Sequence, residues 1–134
     1  MAAGKHDFSI EQGSSFHMSV VYKDANGNPV DITDWCARLI WKTSNNNVQI
    51  FSTENLDYSD YKFEITGSDG RLDLRFPASK TNSFSFNNAK YDLELQSDDD
   101  YYADGGKYTI RILYGTVTIV KRFSKSTDLL ECQT

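Results

Sequence analysis

The chain has little of what usually advertises chemistry. It carries two cysteines, Cys36 and Cys132, two prolines and two histidines, His6 and His17. Two thiols so far apart make neither a disulfide framework nor a zinc pattern, and both are read as free. No apolar run approaches the roughly 18 to 20 residues of a membrane span, so no membrane partner is expected. The opening Met1-Ala-Ala-Gly-Lys-His-Asp7 turns polar at once, and no signal peptide is expected. Positive charge is in the minority. Against 19 Asp and Glu stand 14 Lys and Arg, a net charge of −5. That sets nucleic acid aside as a main partner, because phosphate binding needs clustered cations. Also missing are Gly-x-Ser-x-Gly, a phosphate loop and His-Glu-x-x-His, and neither histidine adjoins a nucleophile motif. Paired carboxylates converge in space and leave no motif to read. The expectation is a non-enzymatic protein with no catalytic residue, cofactor or metal.

What is present is aromatic and alternating. Eight Phe, eight Tyr and two Trp in 134 residues argue for a packed core in one domain. Apolar residues recur with period two almost throughout, the mark of half-buried strands. The alternation predicts strands over 16–22, 37–42, 72–76, 91–96 and 108–114, with 117–120 continuing beyond Gly115. Weaker strands are expected at 8–10, 48–52 and 61–65. Gly115 reads as a bend or tight turn between two runs. Asn26-Gly27 and Gly67-Ser-Asp-Gly70 supply turn chemistry. Helical period is confined to single turns at Asp31–Trp35 and Ala78–Ser83, with Thr33, Ser79 or Thr81 as candidate caps. The fold class is all-β: an Ig-like antiparallel β-sandwich of about eight short strands. Residues 1–134 form the single domain, with residues 1–6 as a flexible N-terminal arm and 124–134 as a tail or docking arm.

The expected core comprises Phe16, Met18, Val20, Leu39, Trp41, Leu72, Leu74, Leu93, Leu95, Ile110, Ile112, Val117 and Ile119. Two edge strands are anticipated beside the ends, one at Asp7–Ile10 and one at Val117–Phe123. The second is apolar enough to need a partner, which makes Val117 and Ile119 candidate contact residues. Asp98-Asp-Asp-Tyr-Tyr-Ala-Asp-Gly-Gly106 is the densest charge cluster. Its carboxylates at 98–104 are of the type calcium prefers, but Tyr102 occupies a ligand position of the Asp-x-Asp-x-Asp-Gly loop, and a solvated hairpin tip is the simpler reading. Tyr101 and Tyr102 at that tip, with Tyr58 and Tyr61 in another loop, either form a recognition surface or fold back onto the core rim. Such rings also stack on sugars, so a host glycan is a further candidate partner.

The order of short motifs is informative. Asp7-Phe-Ser-Ile-Glu-Gln-Gly13 leads into a strand ending Tyr22-Lys-Asp24. Asn26-Gly-Asn-Pro-Val-Asp-Ile-Thr33 and Cys36-Ala-Arg-Leu39 follow. Then come Gly70-Arg-Leu-Asp-Leu74, Pro77-Ala-Ser-Lys-Thr81, Tyr91-Asp-Leu-Glu-Leu95 and Leu113-Tyr-Gly-Thr-Val117. This series resembles small virion structural proteins of tailed bacteriophages, above all the cyanophage and marine-phage type. It is also similar to N-terminal β-sandwich domains of some baseplate and tail-fibre proteins. The match covers about residues 5 to 120. Trp35 stands where that family often has Gly-Tyr, and the 98–106 loop is longer than usual. The resemblance implies a structural role in the virion, made in the host cytoplasm, with other phage structural proteins as partners and a homo-oligomer in the particle. It supplies no catalytic residue. A carbohydrate-binding module and a capsid decoration protein are the alternatives of a different kind.

Overall fold

The structure, a computed structural model, describes residues 3–98 and 101–123. Among these residues nine strands and one short α-helix follow in order: β1 Gly4–Lys5, β2 Phe8–Glu11, β3 Phe16–Val21, β4 Cys36–Thr43, β5 Val48–Ser52, β6 Lys62–Thr66, β7 Arg71–Phe76, α1 Ala78–Asn82, β8 Asn88–Gln96 and β9 Thr109–Val120, with a 3-10 turn over Gly67–Asp69 between β6 and β7. They form two sheets. One runs β9-β8-β4-β5, with β1 and β2 both added in parallel to the outer flank of β9; the other runs β3-β7-β6. The remaining pairings are antiparallel, so the protein is an all-β sandwich.

The alternation that defines the strands also fills the space between the sheets. Leu39, Trp41, Leu72, Leu74, Leu93, Leu95, Val117 and Ile119 are buried, while Phe16, Met18, Val20, Ile110 and Ile112 are half-buried and pack on the same core. Trp41 is its centre. Its indole lies 4.7 Å from the Phe51 ring, 5.2 Å from Phe84, 5.5 Å from Phe86 and 6.0 Å from Phe76. Ile10 and Ile32 join the core from β2 and from the β3–β4 connection.

Four expectations need correction. Gly115 is no turn: β9 runs unbroken through it, with Gly115 opposite Tyr91. Inward-facing parity changes from Ile110 and Ile112 to Val117 and Ile119 because of a bulge against Leu93/Glu94, which inserts one extra residue into β9. Gly115 is glycine for space, since a Cβ there would lie 2.3 Å from the His6 carbonyl oxygen and 2.7 Å from Asp7 Oδ1. Second, the arm of residues 1–6 is not wholly free: Gly4 and Lys5 pair with Leu113 and Tyr114, and the His6 N–H donates to the Tyr114 carbonyl at 2.9 Å. Backbone pairing needs no side-chain pattern, which is why the sequence gives no sign of it. Third, β9 is not an edge, because β8 flanks it on one side and β1 and β2 on the other. Asp7–Ile10, by contrast, does lie at an edge. Fourth, 31–35 is a turn rather than a helical one, with Asp31 Oδ1 accepting from the Thr33 N–H at 3.0 Å. The Ala78–Asn82 helix forms as expected, but Pro77 precedes it without a side-chain cap. Residues 124–134, read as a tail or docking arm, lie outside the described residues, as does Cys132; Cys36 is a free, half-buried thiol.

The N-terminal strands are tied down by a buried phenol. The Tyr91 hydroxyl donates to the His6 carbonyl. Burial, helped by the Asp7 carboxylate, pushes its pKa from 10.0 up to about 12. A phenol whose folded pKa is raised contributes stability that is complete below the ordinary value and lost as pH rises through the folded one. Tyr91→Phe is therefore expected to be less stable than the parent by about 1 kcal/mol at neutral pH. The gap should close between about pH 10 and 12 as the parent loses its advantage. Chemical denaturation of both proteins across that window is the check, and a gap that stays constant would contradict the assignment.

Candidate protein-contact site

Three connections meet at one end of the sandwich. The β3–β4 connection, residues 22–35, reverses at Asp24, whose carboxylate accepts from the backbone N–H groups of Asn26 and Asn28 at 2.9 and 3.0 Å. Gly27 takes the positive φ, 82°, that this reversal requires. The β6–β7 connection docks against it: the Tyr22 N–H donates to Gly70 O, and the Ile32 N–H to Gly67 O. Gly70 has φ 63°, and a Cβ there would lie 2.6 Å from Val30 O. The third, residues 97–108, is closed at its base by Ser97. That buried residue donates its N–H to Tyr108 O and accepts the Tyr108 N–H on Oγ at 2.7 Å.

Two of these connections, the first and the third, deliver aromatic rings beside strand ends. Tyr22 follows β3, Trp35 precedes β4 and Tyr108 precedes β9. Tyr101 stacks on Tyr108, with centroids 4.9 Å apart and 18° between planes. Trp35 meets Tyr101 edge-on at 6.0 Å and Tyr108 at 6.2 Å. Tyr102 stands edge-on to Tyr101 at 5.0 Å. The Tyr22 hydroxyl has its pKa raised by burial and then by the neighbouring Tyr108. Aromatic pairs of this kind contribute about 0.5–1.5 kcal/mol each beyond area burial, so the cluster holds its own shape. Tyr101 and Tyr102 remain 49% and 47% exposed. The result is a half-open aromatic platform with the exposed Asp98 and Asp104 nearby in sequence.

Of the six contact candidates, only two reach this platform. Tyr101 and Tyr102 do; Tyr58 and Tyr61 make none of its ring contacts. Tyr58 is exposed, with the Lys62 ammonium 5.5 Å from its ring centroid. Tyr61 is buried against Phe51, and its hydroxyl accepts from the Ser52 N–H at 2.9 Å. It is the core-rim case. Val117 and Ile119 are corrected outright as contact residues: their side chains are in the core and β2 covers the flank of their strand. Missed were Trp35, Tyr108 and Tyr22. The signal that would have found them is positional, since each directly adjoins a strand at connections that converge.

His17 lies on the outer face of β3 and contacts Asp73 at 2.9 Å, with Arg71 on the other carboxylate oxygen at 3.0 Å. Partial burial opposes ionisation of Asp73, but hydrogen bonds from His17, Arg71 and Ser19 outweigh it and lower the pKa. Burial raises the Cys36 thiol, which makes it a poor nucleophile. Among the described residues no group of three or more His, Cys, Asp or Glu is placed to hold a metal ion. Asp99 and Asp100 of the acidic loop lie outside the described residues. The chain matches no known protein-family model and no curated protein.

Proposed function

We propose that this chain is a non-enzymatic structural protein of a tailed-phage virion, a tail, baseplate or fibre-attachment component. It docks on a neighbouring particle protein through the Trp35–Tyr101–Tyr102–Tyr108 end. The observation that carries the reading is that platform: rigid aromatic rings, half exposed, on connections locked to the sandwich, which is how protein-contact hot spots are built. The motif order described above supplies the virion context. We further read the sandwich as Ig-like. In support, β9, β8, β4 and β5 have the neighbour order of strands G, F, C and C′, and β3, β7 and β6 that of B, E and D.

Changing Tyr101 and Tyr102 together to alanine is expected to reduce incorporation into particles by more than about tenfold. Losing the three ring pairs of Tyr101 lowers the melting temperature by several degrees but leaves the sandwich folded, which circular dichroism checks. Normal incorporation of the double variant would sink the proposal. The same exposed rings favour one second reading, a carbohydrate-binding module. A glycan titration followed by Trp and Tyr fluorescence separates the two: saturable quenching that the double variant loses would establish the sugar-binding reading instead.

A further inference from the structure

A sandwich of this kind has free strand edges, and proteins guard such edges with charge. Here β1 and β2 carry or adjoin Lys5, Asp7 and Glu11. On β6 stands the Lys62–Glu64 ion pair, at 2.8 Å. On β3, His17 faces the Asp73–Arg71 network of the adjacent strand. The last strand of the larger sheet, β5, carries no charge of its own, although the Lys80–Asp60 ion pair lies beside its Phe51, with Lys80 Nζ 5.8 Å from that ring. From Thr43 to Thr53 no residue is charged, and Val48 and Ile50 are 53% and 54% exposed.

The backbone of β5 says which groups point outward. Asn47 O accepts from Thr43 N and Thr53 N donates to Ala37 O, so odd-numbered residues bond to β4. Alternation then turns the N–H and C=O of Val48, Ile50 and Ser52 away from β4. The Tyr61 hydroxyl occupies the Ser52 N–H, as this parity requires. Val48 and Ile50 are left as the open stretch of the edge. At the other end Asn46 is in a turn with φ 65°, its N–H bonded to Thr43 O.

We propose that β5 is a self-association edge, where a second copy of this chain pairs antiparallel about a two-fold axis at Gln49. One register brings both open residues onto open residues: Val48 faces the partner's Ile50, and Ile50 faces the partner's Val48. Each of these pairs exchanges an N–H···O bond in both directions. The Tyr61 cap on Ser52 excludes the register one step over that would place Ile50 on the partner's Ile50. On the outer face, Val48 and Ile50 of both copies then form one apolar patch, continued by Ile40, which lies opposite Ile50 on β4. Copies of net charge −5 repel one another, and an uncharged strand lets them approach without setting like charges directly opposite. A one-strand contact is smaller than the roughly 800 Å² per partner of a standard interface, so the dimer is weak, with a Kd of about 10 μM to 1 mM. This inference does not depend on the proposed function.

Sedimentation velocity of the full chain from about 10 μM to 1 mM should show a monomer–dimer equilibrium, strengthened by salt. Ile50→Lys should leave the melting temperature within a few degrees and hold the chain monomeric over that range. With Cys36 and Cys132 changed to serine, Gln49→Cys should oxidise to a covalent dimer. Facing residues of a wide antiparallel pair are about 4.5 Å apart between Cα atoms, within disulfide reach. Val48→Cys, offset from its own copy, should not. A parent monomeric throughout, an Ile50→Lys variant that still dimerises, or a Gln49→Cys variant no faster to cross-link than Val48→Cys would each overturn the proposal.

Discussion

Replacing Gly115 by valine is expected to detach β1 and β2 from the sheet. The new Cβ would lie 2.3 Å from the His6 carbonyl oxygen, and the valine methyl groups would press on Asp7, whose carboxylate accepts the Thr116 N–H at 2.9 Å. The clash is with backbone, so no rotamer relieves it. Release of these strands exposes the fully buried Ile10 and breaks the Tyr91–His6 bond. Burying one such side chain contributes about 1.5–3 kcal/mol and a hydrogen bond about 1 kcal/mol, so a loss near 3 kcal/mol is expected. Urea denaturation measures it, and amide exchange at Phe8–Glu11 shows whether the strand has left. A loss under about 0.5 kcal/mol, the range of an ordinary surface change, would mean that the crossing has room the structure does not give it.

Trp41→Ala is expected to cost more, about 3–5 kcal/mol, because four phenyl rings would then line a void. The indole N–H of Trp41 is buried with no oxygen in reach. Ring faces are weak acceptors for such a donor and are the partners at hand. Trp41→Phe removes that unpaired donor along with part of the ring, so its loss should be well below that of alanine. Equal losses for the two variants would show that packing around Trp41 is less exacting than the ring distances imply.

Side-chain alternation made most of this fold legible. The strands around Leu39 and Leu72 are found within a residue, and that around Leu93 within three, because each buries alternate residues and shows it. The N-terminal pairing is illegible for the opposite reason: Gly4 and Lys5 contribute backbone alone. Gly115 misleads because glycine signals both turns and close approaches, and only the position of His6 distinguishes them. The bulge is written in the shift of parity from Ile112 to Val117, which a turn would also produce. At the candidate site, Tyr101 and Tyr102 are visible as loop tyrosines. Of their supports, Tyr108 reads as the start of a strand and Trp35 as the end of a turn. That the two connections converge is a tertiary fact with no local signature.

The parallel seam between the first strands and the last has a consequence in time. Gly4 pairs with Leu113 and Phe8 with Val117, so the larger sheet closes only when segments more than a hundred residues apart meet. Contacts this distant in sequence are paid for in chain entropy before they return anything, which slows folding. During synthesis the first eleven residues must wait, unpaired, while β3 to β8 are made. Their charged Lys5, Asp7 and Glu11 suit that interval, since they discourage premature pairing with another nascent chain.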